Sequence, residues 1–250
     1  MLAKLLGQAR PAAAVPPRTA PDTRVYAVGD IHGRLDLLRR INQQIHEDAY
    51  AHQAPRNVVV YLGDYIDRGE SSRAVIDWLI DNPLPGFQSV HLLGNHEQSL
   101  LQFLTDVGVG PAWLAYGGRA TLLSYGVRPP AAERDLPATQ EELRAALPAR
   151  HLAFLRGLRL SHAEGDYLFV HAGVRPGVPL AAQSAEDLLW IREEFLQSGA
   201  DFGKIVVHGH TIADAPEVRP NRIGIDTGAF ASGTLTCLVL AEERWSFLQT

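Results

Sequence analysis

Short apolar runs, many of their residues β-branched, stop abruptly at glycine mixed with Asp, His or Asn. Val25-Tyr26-Ala27-Val28 leads into Gly29-Asp30-Ile31-His32, and Val58-Val59-Val60-Tyr61-Leu62 into Gly63-Asp64. Val90-His91-Leu92-Leu93 leads into Gly94-Asn95-His96-Glu97, Tyr167-Leu168-Phe169-Val170 into His171-Ala172-Gly173, and Ile205-Val206-Val207 into His208-Gly209-His210. Runs of this kind read as strands buried on both faces. Helical patterns lie between them. Leu37, Leu38, Ile41 and Ile45 mark one apolar face; Val75, Ile76, Leu79 and Ile80 mark another, which Ser71 or Ser72 can cap. Thr139 with Glu142 forms a capping-box pattern, and Ser184 with Asp187 a similar helix start. Strands alternating with helices predict an α/β layered architecture.

From about 99 to 157 the pattern changes to helix and turn, with Trp113-Leu114-Ala115-Tyr116-Gly117-Gly118 and a break at Pro129-Pro130. This stretch predicts a helical insertion beside the strand ends. Trp113 to Gly118 reads as packing, with substrate contact as the alternative if the insertion caps the site. Beyond His210, Arg222 to Ile225 and Thr234 to Leu240 predict strands joined by a turn at Asp226-Thr227-Gly228, and Arg244 to Leu248 a last edge strand. Residues 1 to about 22, rich in Pro and Ala, read as a flexible tail, with a docking segment as the alternative. That leaves 23–250 as one domain carrying the insertion.

Composition narrows the function classes. Of 250 residues, 46% are hydrophobic and 20% charged, as in an ordinary soluble domain with its own core. Cys237 is the single cysteine, so no internal disulfide and no thiolate zinc site is expected, and a reducing compartment, the cytoplasm, is. A net charge of −5 lacks the basic footprint of a nucleic-acid binder. No apolar run approaches the roughly 20 residues that span a bilayer. The start lacks a signal-peptide core of about 7 or more apolar residues. Neither nucleic acid nor membrane is therefore expected as a partner.

In layered α/β folds ligand groups gather beyond the carboxyl ends of the strands. All five runs carry polar, metal-competent residues just there. A lone Asp or His at a strand end is ordinarily a cap or turn residue. Asp30, His32, Asp64, Asn95, His171 and His210 brought to one rim are a different matter. They offer carboxylate, imidazole and amide donors without sulfur, a set suited to Mn²⁺, Fe, Zn²⁺, Co²⁺ or Mg²⁺. Six donors exceed one tetrahedral site but fit two open sites that share a carboxylate. Two such metals about 3.5–4 Å apart can clamp a phosphoryl group and activate a water.

The blocks Gly29-Asp30-Ile31-His32-Gly33, Gly63-Asp64-Tyr65-Ile66-Asp67-Arg68-Gly69, Gly94-Asn95-His96-Glu97, His171-Ala172-Gly173 and Gly209-His210-Thr211 resemble, in order, those of metallophosphoesterases. The second block is similar to that of the phosphoprotein phosphatase branch, whose bacterial and phage-type members are short like this chain. The resemblance covers residues 25 to about 240 apart from the insertion. It implies a four-layer αββα sandwich of two mixed sheets flanked by helices. It also implies roles. Asp30, His32 and Asp64 would hold a first metal, with Mn²⁺ the foremost choice. Asp64, Asn95, His171 and His210 would hold a second. Ile212 stands where the wider superfamily often has another His ligand, which agrees with this branch. His96 would be the general acid, oriented by Asp67, and Arg68 would grip phosphate oxygens. Leu189-Trp190-Ile191-Arg192 resembles a second phosphate-binding block, making Arg192 a second clamp or else a solvated helix residue.

The expected reaction is one-step hydrolysis of a phosphomonoester, in which a metal-bridging hydroxide attacks phosphorus and His96 protonates the leaving oxygen. Phosphoserine and phosphothreonine in proteins are the expected substrates. Hydrolysis of dinucleoside polyphosphates is the alternative, decided by how residues 99–157 shape the cleft. A non-catalytic scaffold is the remaining rival, and such proteins usually lose the acid or the ligands that stand here. His46, His52, His91, His151 and His162 have no block around them and read as surface or packed residues. His208 is either packed or placed behind the ligands.

Overall fold

In the computed structural model, which describes residues 16–250, ten strands form two mixed five-stranded sheets. In the first sheet, β1 (Thr23–Val28), β2 (Arg56–Tyr61) and β3 (Phe87–His91) run parallel. In the second, β4 (Ser161–Glu164) pairs antiparallel with β5 (Tyr167–Val170), which runs parallel to β6 (Ile205–His208). Outside β6 lie β8 (Arg222–Gly224), parallel to it, and the edge strand β7 (Glu217–Val218). The chain then returns to the first sheet, where β9 (Thr236–Ala241) pairs antiparallel with β1, and β10 (Arg244–Gln249) forms the edge.

Strand alternation divides the apolar residues between layers. Val25 and Ala27 of β1, with Val58 and Val60 of β2, meet Tyr167, Phe169 and Val207 of the second sheet in a core between the sheets. Tyr26, Val28 and Val59 face the other way, onto α1 (Leu35–His52) and α2 (Ser72–Asp81). The same side holds α3 (Asn95–Phe103), α4 (Gly110–Trp113), α5 (Arg119–Ser124), α6 (Leu136–Ala146) and α7 (Ala149–Arg156), which fill most of the stretch expected to be helical. On the far face of the second sheet, Leu168, Val170 and Val206 pack under α8 (Ala185–Trp190) and α9 (Glu193–Leu196) through Leu188 and Phe195. These layers make the four-layer αββα sandwich. Burial on both faces is why the central strands read as unbroken apolar runs. Each fully buried aliphatic side chain contributes about 1.5–3 kcal/mol.

Several local expectations need correction. Ser71 precedes α2 without a side-chain cap hydrogen bond, and the Ser72 hydroxyl, the other candidate, instead accepts the amide of Asp67 at 3.0 Å. Helix α6 begins at Leu136 with Pro137 in its first turn, so Thr139 is interior and donates to the Asp135 carbonyl instead of capping. Ser184 does cap α8, accepting the Asp187 amide at 3.0 Å. The turn at Asp226 carries a short helix, α10 (Ala229–Ser232). Strand β4 was unexpected, since Ser161-His162-Ala163-Glu164 is a polar edge segment with no apolar run.

Of the expected tail, residues 1–15 lie outside the described residues. Its remainder is tied down. The Asp166 amide donates to the Arg18 carbonyl at 2.8 Å and the Thr19 amide to the Glu242 carbonyl at 3.1 Å, one contact beside each sheet. No helix among the described residues is long and apolar enough to cross a membrane.

Candidate metal centre

The parallel strands β1, β2 and β3 and the parallel pair β5 and β6 end at one rim. There the sandwich brings together all six residues singled out as ligands, each buried. Asp64 stands at the centre. One of its oxygens lies 3.5 Å from His32 Nε2 and the other 3.4 Å from His171 Nε2. Asn95 Oδ1 lies 2.9 Å from both His171 Nε2 and His210 Nδ1. Donor atoms thus form two tight groups, His32–Asp64–His96 and Asp64–His171–His210, which share Asp64. Asp30 stands outside both groups. Its carboxylate accepts the His210 amide at 3.0 Å and lies so close to the β6 loop that a Cβ on Gly209 would stand 2.0 Å from it.

Electrostatics favour cation binding. Burial, with the neighbouring charges of Asp226 and Asp64, pushes the Asp30 pKa well above the carboxylate range. Burial likewise raises Asp226 to about 6. Burial also opposes ionisation of Asp64, yet His171, His96, His32 and His210 around it hold its pKa below the ordinary value. Burial lowers His32 to about 3 and lowers His171 and His210 as well, so these imidazoles are neutral and their lone pairs free for a metal. Backbone carbonyls set two tautomers: Ile66 meets His32 Nδ1 at 2.8 Å and Leu62 meets His171 Nδ1 at 2.9 Å, turning each Nε2 toward Asp64. Closely spaced buried carboxylates among neutral nitrogens, without sulfur, fit a divalent pair.

The acid candidate sits at the same rim. His96 Nδ1 meets Asp67 Oδ2 at 2.7 Å. Burial opposes the charge on His96, but Asp64 and Asp67 outweigh it and raise its pKa to about 9. Arg68 Nη2 comes within 3.4 Å of His96 Nε2, and its guanidinium lies 4.7 Å above the Phe230 ring of α10. Arg192 is exposed and immediately precedes α9, and its Nη1 lies 3.4 Å from the His210 carbonyl oxygen. His208 packs against Phe195 and meets Arg222, away from the ligand cluster.

Several contributors escape sequence reasoning. The Glu97 carboxylate accepts the amides of Asp64, Tyr65, Ile66 and Gly94, at 2.8–3.2 Å, and so fastens the β2 loop to α3. Trp113, read as packing or substrate contact, instead donates its indole N–H to Asp67 Oδ2 at 2.9 Å. The Thr121 hydroxyl donates to Asp67 Oδ1 and accepts the Asp67 amide. Asp226 shapes its turn as expected, accepting the Gly228 amide, but also stands beside Asp30. His32, Asp64, Asp67, Arg68 and His210 all have φ between 45° and 71°. Such backbone costs about 1 kcal/mol or more per non-glycine residue and clusters where surrounding contacts enforce it.

The chain is 29% identical over 224 residues to serine/threonine-protein phosphatase 2 of Escherichia coli (strain K12), covering 85% of this chain and 90% of that one. It is 22% identical over 233 residues to an asymmetrical bis(5'-nucleosyl)-tetraphosphatase of Halalkalibacterium halodurans, covering 86% and 89%. Its fold matches a chain solved as a candidate diadenosine tetraphosphatase, with a TM-score of 0.61, 19% identity and coverage of 92% and 95%. The family model for calcineurin-like phosphoesterases matches residues 23–227, from the first strand to the turn beyond β8. That span takes in every ligand candidate, and the chain belongs to this metal-dependent phosphoesterase family.

Proposed function

We propose that this chain is a phosphomonoester hydrolase with a dinuclear metal centre, acting on phosphoserine and phosphothreonine in proteins. Mn²⁺ is the proposed metal, and Fe, Zn²⁺, Co²⁺ and Mg²⁺ suit the same donors. The observation that carries the reading is Asp64, with one oxygen facing His32 and the other His171, placed to bridge two ions. In this reading Asp30, His32 and Asp64 hold one ion; Asp64, Asn95, His171 and His210 hold the other.

When bound, the ions supply positive charge for the phosphoryl oxygens and an activated water for in-line attack. The protein's own groups do the rest. Arg68 and Arg192 hold the phosphate oxygens with permanent charge and a planar pair of donors. Asp67 fixes Nδ1 of His96 and keeps the ring protonated, so Nε2 donates its proton to the leaving oxygen. The single cysteine, buried Cys237, fits work in a reducing cytoplasm.

A substrate panel with Mn²⁺ tests the reading, with phosphopeptides and diadenosine tetraphosphate assayed before and after chelation. Phosphate release from the phosphopeptides should stop with chelator and return with metal, and no phosphorylated side chain should be trapped. Hydrolysis that survives chelation, or a trapped phospho-enzyme, defeats it. The tetraphosphatase-named relative favours a second reading, dinucleoside polyphosphate hydrolysis. Preferential turnover of diadenosine tetraphosphate would select that reading.

A further inference from the structure

Arg68, assigned above to grip phosphate, is a cation without a counter-ion: among the described residues no carboxylate forms an ion pair with it. A paired carboxylate would fix the side chain but would also occupy the donors that phosphate needs. His96 Nε2, 3.4 Å from Arg68 Nη2, gives up a proton in the reaction argued above and offers the guanidinium no lone pair. The orientation of the clamp must come from elsewhere.

Two elements supply it. The Arg68 backbone, at φ 65°, donates its amide to the Gly117 carbonyl at 3.2 Å. Gly117, at φ 121°, is the kink where two helical segments meet, and a Cβ there would stand 2.7 Å from Arg68 Cγ. These contacts fix where the side chain starts, not where its head points. The head lies over Phe230, with 4.7 Å from the guanidinium carbon to the ring centroid. A ring face attracts a cation through its quadrupole and consumes none of the N–H donors.

Phe230 is itself a fixed platform. It sits in the four-residue helix α10, where the carbonyl of buried Ala229 accepts Arg34 Nη1 at 2.9 Å. Before it, the Asp226 carboxylate accepts the Gly228 amide at 2.9 Å; after it, the Ser232 hydroxyl donates to the Thr227 carbonyl at 2.8 Å. The ring also meets His32 at 86°, with centroids 5.5 Å apart. We propose that Phe230 is the positioning residue of the phosphate clamp: its ring holds the Arg68 guanidinium ready for phosphate without neutralising it. The proposal rests on the reading of Arg68 given above. It adds to that reading a residue outside all five sequence blocks.

Inorganic phosphate, titrated calorimetrically into Mn²⁺-loaded protein, reads the clamp without turnover; kcat/KM for a phosphopeptide reads it during turnover. Phe230→Leu keeps an apolar side chain and removes the ring face. It should weaken phosphate binding and lower kcat/KM, each about 3- to 30-fold, with two ions per chain retained by metal analysis. Phe230→Tyr keeps the face and should stay near wild type. Pentafluorophenylalanine at this position keeps the shape, inverts the quadrupole and should behave like Phe230→Leu. In an Arg68→Ala background Phe230→Leu should cost nothing further, because the ring acts through the guanidinium. Wild-type phosphate affinity in Phe230→Leu or in the fluorinated variant overturns the proposal, as does an equal loss once Arg68 is already gone. Loss of metal in Phe230→Leu also overturns it, by assigning the ring to His32. Unchanged phosphate binding in Arg68→Ala would instead defeat the clamp reading itself, and the proposal with it.

Discussion

The indole N–H of Trp113 and Nδ1 of His96 converge on one oxygen of Asp67, at 2.9 and 2.7 Å. The other oxygen takes the Thr121 hydroxyl. Asp67 is fully buried, so its carboxylate oxygens rely on these partners for their hydrogen bonds. The helical stretch between β3 and β4 thus supplies the groups that hold the carboxylate orienting the acid. Trp113→Phe keeps the ring that packs on Phe103 and removes only the donor. A hydrogen bond to a charged group is worth about 1.5–3 kcal/mol. The variant should lose about 10- to 100-fold in kcat while KM and bound metal stay near wild type. A matching loss of metal would mean that Trp113 acts only on the fold.

Glu97 provides a contrasting case. Its carboxylate accepts four backbone amides, one of them from Asp64. Glu97→Gln turns an NH₂ group toward amide donors, and the strained Asp64 backbone, φ 50°, loses its support. Metal affinity should fall about 10- to 100-fold, as on loss of groups that orient ligands. Titration calorimetry with Mn²⁺ reads this directly, and wild-type affinity would remove Glu97 from that role.

His96 separates chemistry from metal binding. His96→Asn should retain two ions per chain by metal analysis yet lose about 10²–10⁴ in kcat. The deficit should shrink for substrates whose leaving oxygen needs no proton. A deficit equal across leaving groups would mean that His96 serves binding and not proton donation.

How much of this was legible in sequence differs by layer. Val58, Val59 and Val60 are buried on both faces of their sheet, so the strand, and with it the rim, could be read from the run itself. His32 and Asp64 follow such runs directly. The Trp113–Asp67 bond spans 46 residues and no periodicity encodes it. Thr139 looked like a cap because its spacing from Glu142 fits a capping box, but Pro137 starts the helix earlier. Strand β4 was invisible because an edge strand paired to β5 with a solvent-facing side needs no apolar run. The left-handed φ at His32, Asp64 and His210 is enforced by contacts from distant loops and carries no local signal.

His91 offers a test of stability away from the metals. Its ring stacks on Tyr61 at 5.1 Å and 5° and meets Phe154 edge-on. Burial pushes its pKa down to about 4, whereas the unfolded value is about 6.5. Above that unfolded value both states are neutral and His91 has no pH effect. Below it, the unfolded chain takes a proton that the native chain refuses, and stability falls by about 1.4 kcal/mol per pH unit. The fall continues until about pH 4, where the native ring also protonates. Chelator-treated protein keeps metal loss out of the comparison. Between pH 7 and 5, wild type should lose about 2 kcal/mol more than His91→Gln, read from urea midpoints at constant slope. The variant should start lower at pH 7, because the stacking is lost, and the two curves should approach each other on acidification. Parallel curves would assign the acid sensitivity to other buried histidines, His208 foremost, whose pKa burial also lowers to about 4.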